Sequence, residues 1–413
     1  MKLRILVAAI VIPLVLAAAT ASASVKKAQG NTLTVWLQVD AQSGWPDLVA
    51  AANQQFQADH PGWTVNVQYQ SWSDHLQKFD ATLAASDPPD VIEMGNTETT
   101  AYMAAGAFAD LTSLKSSFPN SANWLGGLAK SGMYGGKLYA VPYYAGSRVV
   151  TYRTDLWKKA GIAKPPTSLA QLTADAKKLQ ATNSKKGFSP IYTAGTDWYF
   201  AMAFVYDYGG QIASTYKGKW VGDLDSKKSI AGLTAYKNFF DAVSKAAPTS
   251  NEVNPAPYTV FSQNLAGAII GPAWFSCCTG APYKNVTGQF VMPSHTPGLA
   301  MPGFLGGSDL AVPKSSQNQT LAANWIADFT STKIEQGLQA KGNIPNATNL
   351  LGNSVNERAA ARSWFVPQAK HWVDVENGNI LRNMLAQILT GKETVLQAAT
   401  SASDNIASVL NQP

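Results

Sequence analysis

The sequence predicts an α/β protein of two domains, and three observations carry the prediction. At 413 residues the chain is longer than a single hydrophobic core serves, because cores stop growing near ~250–300 residues. Its first legible stretch alternates short β-rich runs with amphipathic helical patterns, the order that right-handed crossovers lay down as a layered sheet. Its composition is globular, with 46% hydrophobic residues, and only 14% of residues are charged against a usual ~25%.

The N-terminus reads "MKLRILVAAIVIPLVLAAATASAS". Lys2 and Arg4 form a basic n-region, Ile5 to Ala19 is apolar, and Ala21-Ser22-Ala23 gives the small-x-small pattern of a cleavage site. Residues 1–23 are therefore expected to be a signal peptide, cleaved near Ala23-Ser24, and the protein to be periplasmic or extracellular. The apolar run is shorter than the ~20 residues a membrane span needs. No cysteine flanks the cleavage site, so no lipid anchor is expected.

"LTVWLQ" (Leu33 to Gln38) is a first strand. A helix follows, with Ser43 as a candidate N-cap, Pro46 in its first turn, a stripe of Leu48, Ala52 and Phe56, and a stop at Pro61-Gly62. "WTVNVQYQ" alternates as a second strand, with Val65, Val67 and Tyr69 on one face. Ser73 can cap the next helix, whose stripe is Leu76, Phe79 and Leu83. Asp87-Pro88-Pro89 breaks it before a third strand, "DVIEM". Later come a tyrosine-rich extended run from Tyr134 and a helix capped by Thr167. An apolar helix, "DWYFAMAFVYDYGG", a short buried strand at Ala266 to Ile270 and two closing helices around Gly391 follow.

Ligands of such sheets collect beyond the carboxyl ends of the strands. Here those loops are "QVDAQSGW" and "MGNTET", rich in short polar side chains. Neither holds a glycine-rich phosphate motif. The net charge of +6 is spread as isolated Lys pairs, a solvated surface that calls for no nucleic acid. The four histidines show no metal-ligand spacing and no G-x-S-x-G occurs, so no cofactor or metal is expected.

Four blocks, in order, carry a resemblance: "SDPPDVIEM…AYMAAGAFADL", "LYAVPYYAGSRVVTYRTDLWKKAGI…PPTSLAQL", "NLAGAIIGPAW" and "GGSDLAVPKSSQNQTLAANWIADFTS". From about Leu33 onward the chain resembles the extracellular solute-binding proteins that feed ABC importers, in the branch of maltose- and oligosaccharide-binding proteins. The resemblance implies a two-lobe periplasmic-binding-protein fold of type II, hinge-closing, with mixed sheets flanked by helices. Residues 32–142 plus 301–345 would form lobe one, and 143–293 plus 346–413 lobe two. It also implies a di- or oligosaccharide ligand in the cleft, the permease subunits of an ABC importer as partners, and a monomer.

A sugar offers hydroxyls on its rim and C–H patches on its faces, so its site needs planar polar side chains and flat rings. On lobe one, the family uses the loops that hold Asp40, Gln42, Asn96, Thr97 and Glu98 for hydroxyl contacts; Asp40 or Thr97 could equally cap a helix. Tyr143 and Tyr144 point to opposite faces of a strand, which places one toward ligand and one toward a core. Arg148 is either a hydroxyl donor or half of an ion pair. On lobe two the resemblance aligns Trp198 and Tyr199, Trp274, and Trp372 with Asn377 to cleft positions.

"GPAWFSCCTG" contains the chain's two cysteines, Cys277 and Cys278. In an oxidising compartment they are expected to pair with each other and to line the cleft beside Trp274 as a rigid apolar patch. The competing readings are buried thiols, or a bond with no ligand contact. Two rival functions also stand. A secreted carbohydrate-active enzyme would draw paired carboxylates from Asp40, Glu98, Asp197 and Asp309. A binding protein for glycerol phosphate or a metal chelate would rest on Arg148.

Overall fold

The structure is a computed structural model that describes residues 31–413; the signal-peptide reading of residues 1–23 lies outside them. Among the described residues no helix is long and apolar enough to cross a membrane. Nine strands build two sheets: β1 (Thr32–Gln38), β2 (Thr64–Gln70), β3 (Val91–Gly95), β4 (Ala140–Gly146), β5 (Arg148–Arg153), β6 (Ala268–Pro272), β7 (Thr287–Phe290), β8 (Gly306–Ala311) and β9 (Ile344–Pro345). The larger sheet runs β9-β4-β8-β3-β1-β2, and the smaller runs β6-β5-β7. β3, β1 and β2 are parallel, β8 and β9 are antiparallel to their neighbours, and both partners of β5 are antiparallel to it.

The sheet positions follow from the residues. β1 lies inside the sheet, beside the edge strand, and is buried on both faces, which its run of Leu33, Val35, Trp36 and Leu37 permits. β2 is an edge strand, and Val65, Val67 and Tyr69 give it one half-buried face. The helix Pro46–Asp59 between them buries Val49, Ala52 and Phe56, so Val49 takes the place expected of Leu48. Ser43 is not a cap: its hydroxyl donates to the Val39 carbonyl inside the short helix Val39–Gly44. Ser73 gives way to Asp74 at the start of His75–Ala84. Ser168, not Thr167, caps Leu169–Ala181, accepting from the Gln171 N–H at 3.2 Å.

Each lobe has its own core. Leu37, Phe56, Leu310, Trp325 and Phe329 pack on one face of the large sheet, and Trp36, Phe79, Met94 and Phe108 on the other. The second lobe gathers the helices Trp198–Asp207, Lys227–Val243, Ile380–Thr390 and Val395–Leu410 around Phe204, Tyr236, Leu385 and Ile406.

The chain leaves the large sheet at Ser147, between β4 and β5. This is later than the expected division at 142/143, because Pro142 does not end β4. A register shift at Ser308/Asp309 opposite Pro142 accommodates it. Met301 and Phe304, assigned by sequence to lobe one, pack in the second lobe's core. There Gly303–Phe304 pairs in parallel with Ser363–Trp364.

Candidate functional site

One edge of the large sheet collects the functional loops. β1, β2, β3 and β4 end there, and the antiparallel β8 and β9 begin there. Across from it, Arg148 at the start of β5 pairs in register with Pro272 at the end of β6. A cavity of ≈ 690 Å³ lies between. Asp40, Trp45, Trp72, Tyr144 and Ser308 line it from the first lobe, and Arg148, Ala273 and Trp274 from the second. Ser147, Asn343 and Asn356 line it where the lobes meet. Tight backbone packing shapes that junction: a Cβ on Gly307 would come within 2.0 Å of the Tyr144 carbonyl oxygen.

Three tryptophans reach the cavity by different means. Trp45 precedes Pro46 at the start of its helix; its indole N–H donates to the Tyr143 hydroxyl at 2.5 Å and its ring meets Tyr144 edge-on. Trp72 follows β2, is 39% exposed, and donates its indole N–H to Asp40 Oδ2 at 2.5 Å. Trp274 follows β6 and is 58% exposed. Its ring touches Phe275 edge-on and Tyr258 at 5.9 Å.

Behind Trp72 the buried His75 faces two acceptors. Nδ1 lies 3.2 Å from the Trp72 carbonyl oxygen and Nε2 2.9 Å from Glu98 Oε2. Both nitrogens must carry protons to satisfy that arrangement. Burial opposes the charged ring, yet the hydrogen bond and charge of Glu98 outweigh it and raise the His75 pKa. Beneath Tyr144 the carboxyl of Glu93 is buried and accepts the Gln38 N–H at 2.8 Å. Burial, against that bond, pushes its pKa up to about 7.

On the second lobe, Arg148 Nε donates to Asp197 Oδ2 at 3.3 Å, and its guanidinium lies 4.6 Å over the Tyr199 ring. Asp197 also caps Trp198–Asp207, accepting the Phe200 N–H at 3.2 Å. Burial raises the Asp197 pKa despite the charge of Arg148. Lys341, the other cation on the cavity wall, pairs with Asp47 at 2.9 Å.

Of the residues nominated by sequence, the structure brings Asp40, Tyr144, Arg148 and Trp274 together around the cavity. The others lie elsewhere. Tyr143 is buried against Phe329. Asn96 is buried and fastened to the residue just before β8, donating Nδ2–H to the Leu305 carbonyl at 2.7 Å. Glu98 is engaged by His75 and the Gly95 N–H. Thr97 is half-buried and Gln42 exposed, both outside the lining. Trp198 stacks on Tyr199 at 3.8 Å and also meets Trp364 and Trp372. This aromatic cluster, closed by Phe304 against Tyr199, keeps all three out of the lining. Trp372 donates its N–H to Glu376 Oε1 at 2.6 Å, and Asn377 is exposed on the same helix. Cys277 and Cys278 are joined by a disulfide. Both are exposed at the end of the turn Ala273–Cys278, beyond the cavity lining.

Sequence reasoning missed Trp45, Trp72, Ser147, Asn343 and Asn356. Trp72 could have been found by the strand-end rule, applied to β2 as it was to β1 and β3. Trp45 lay within the quoted loop. Ser147, Asn343 and Asn356 carry no local signal. They meet because Asn356 Oδ1 accepts the Ser147 N–H at 2.9 Å and its Nδ2 donates to the Gly342 carbonyl at 3.0 Å.

Comparison with known proteins agrees with this architecture. The sequence pattern of the bacterial extracellular solute-binding proteins matches residues 37–336. The chain is 34% identical over 375 residues, 88% of its length and 86% of the relative's, to the diacetylchitobiose binding protein DasA of Streptomyces coelicolor. Among solved structures it is similar to the sugar-binding protein MalE of Xanthomonas citri, with a TM-score of 0.79, 18% identity, and coverage of 92% of this chain and 97% of that one. The GacH receptor of Streptomyces glaucescens gives a TM-score of 0.75 at 20% identity, covering 93% of this chain and 99% of that one. Two lobes, a cleft at their junction and a family pattern over most of its length place the chain among the bacterial extracellular solute-binding proteins.

Proposed function

We propose that this protein captures a neutral di- or oligosaccharide between its lobes and delivers it to the membrane subunits of an ABC importer, acting as a monomer after export and removal of residues 1–23. The observation that carries this reading is a pair of exposed tryptophans on opposite walls of one cleft, Trp72 on the first lobe and Trp274 on the second. Flat rings on both sides suit the two C–H faces of a pyranose, and Asp40, Asn343 and Asn356 offer groups for its hydroxyls. The volume of ≈ 690 Å³ falls within the usual ~300–1,000 Å³ of ligand pockets. Lobe closure about Ser147 would remove the ligand from water.

A neutral ligand is favoured because both cations on the wall are already engaged, Arg148 by Asp197 and Lys341 by Asp47. Binding without cleavage is favoured by the state of the carboxylates. Glu98 is held by His75, Asp197 by Arg148, and Asp309 is buried against Ser131 and Thr99. That leaves Asp40 as the one candidate of the four on the cavity wall. The name of the Streptomyces relative points to an N-acetylated amino-sugar disaccharide.

A thermal-shift and calorimetry panel of N,N′-diacetylchitobiose, maltose and glycerol 3-phosphate tests the proposal. The amino-sugar disaccharide should stabilise the protein by about 2.7 kcal/mol at a hundredfold excess over Kd and be recovered intact. Stabilisation by glycerol 3-phosphate alone, or recovery of cleaved sugar, would overturn it.

A further inference from the structure

Cleft binding as described makes no use of the bond between Cys277 and Cys278. A bridge between adjacent residues closes almost no loop in the unfolded chain, so it adds little to global stability. Its position shows a different use. The two cysteines end the 3-10 turn Ala273–Cys278, and in such a turn side chains at i and i+3 eclipse. Cys277 therefore sits in line with Trp274.

The turn is fixed at both ends. The Ala273 N–H donates to the Ser147 carbonyl at 3.0 Å, and the Ala273 carbonyl accepts from Gln289 Nε2 at 2.7 Å. Phe275 is buried so closely over Gly271 that a Cβ there would come within 2.1 Å of its ring. Thr279 is buried at the far end. Between these anchors Ser276, Cys277 and Cys278 are exposed, and the disulfide is the covalent constraint on that span. Trp274 is 58% exposed, and the ring contacts it makes are edge-on with Phe275 of the same turn and tilted with Tyr258 at 5.9 Å. The turn carries that ring onto the cavity wall.

We propose that the Cys277–Cys278 disulfide is a positioning element of the cleft: it holds the turn that presents Trp274, so ligand affinity depends on its redox state while the stability of the fold does not. The proposal deepens the saccharide reading and rests on it. Both cysteines are exposed residues, within reach of a dithiol. Reduction breaks the S–S bond, passes two electrons and two protons to the cysteines as two thiols, and leaves the dithiol as its own disulfide.

The test uses the mature protein with and without dithiothreitol, with alkylation and mass measurement to count thiols. On reduction, the Kd for N,N′-diacetylchitobiose should weaken by about three- to tenfold, the range an aromatic contact carries, with the melting temperature unchanged. The double variant Cys277→Ser/Cys278→Ser should bind weakly whatever the redox state. In Trp274→Ala, reduction should have no further effect. An unchanged Kd after verified reduction, a joint loss of affinity and of melting temperature, or an undiminished effect in Trp274→Ala would overturn the proposal. A ligand-free arm separates it from the saccharide reading. In protein labelled with 5-fluorotryptophan, the fluorine resonance that Trp274→Phe removes should shift or broaden on reduction. If no saccharide binds, this arm decides alone, and an unmoved resonance overturns the proposal.

Discussion

Replacing Glu93 by Gln should make the protein more stable at neutral and alkaline pH and leave it nearly unchanged in acid. Glu93 sits on β3 at 1% exposure, where burial raises its carboxyl from 4.5 to about 7 despite the Gln38 N–H that it accepts. Asp40 adds to the rise and His75 opposes it. The folded state keeps this proton between pH 4.5 and about 7, whereas the unfolded chain has released it. Folding stability therefore falls as pH rises through that window and stays low above it. A gap of about 2.5 pH units corresponds to about 3 kcal/mol. Gln keeps the shape and the acceptor for Gln38 while removing the titration. Urea unfolding of both proteins from pH 4 to 8 reads the difference. Asp309 and Glu376, also raised to about 7 by burial, titrate in both and cancel. Glu93→Gln should match the wild type near pH 4 and exceed it by up to about 3 kcal/mol at pH 8. A difference independent of pH, or a variant weaker at pH 8, would refute the reasoning.

Trp372→Ala empties a site that is 1% exposed and should cost about 3–5 kcal/mol in urea unfolding. Trp274→Ala should change stability by no more than about 0.5 kcal/mol yet weaken saccharide binding in calorimetry; equal stability losses would refute the placement of the two rings. Arg148→Ala leaves Asp197, whose side chain is 3% exposed, without its cation. It should destabilise by about 3–5 kcal/mol, with part of the loss recovered by adding Asp197→Asn; a neutral Arg148→Ala would count against the pair. The His75 ring should titrate above its ordinary ~6.5 in an NMR pH series, and lower in Glu98→Gln. Its stabilising contribution is complete below pH ~6.5 and fades as pH rises through the folded value; a wild-type midpoint below that value would contradict it.

What the sequence made legible was local. The alternation in "WTVNVQYQ", the Pro46 start and the paired faces of Tyr143 and Tyr144 are set by neighbours a few residues apart, and they place β1, β2, β4 and the cavity edge. The choice among tryptophans was not legible. Trp198, Trp274 and Trp372 read alike, and what separates them is long-range packing: Trp364 meets Trp198, which also meets Trp372, and Phe304 closes over Tyr199. The cavity at Ser147 is built the same way, by Asn343 and Asn356 from across the chain. The expected lobe division at 142/143 falls inside β4, because the shifted register of β8 lets the strand run through Pro142.

The central claim is that opposed rings on the two lobes grip a saccharide, and calorimetric titration of the mature protein with N,N′-diacetylchitobiose, beside a Trp72→Ala/Trp274→Ala double variant, tests it most directly. The account predicts saturable one-to-one binding with a negative heat-capacity change, lost in the double variant while the fold is retained. Absence of binding by the wild type, or binding that the double variant leaves intact, would contradict it.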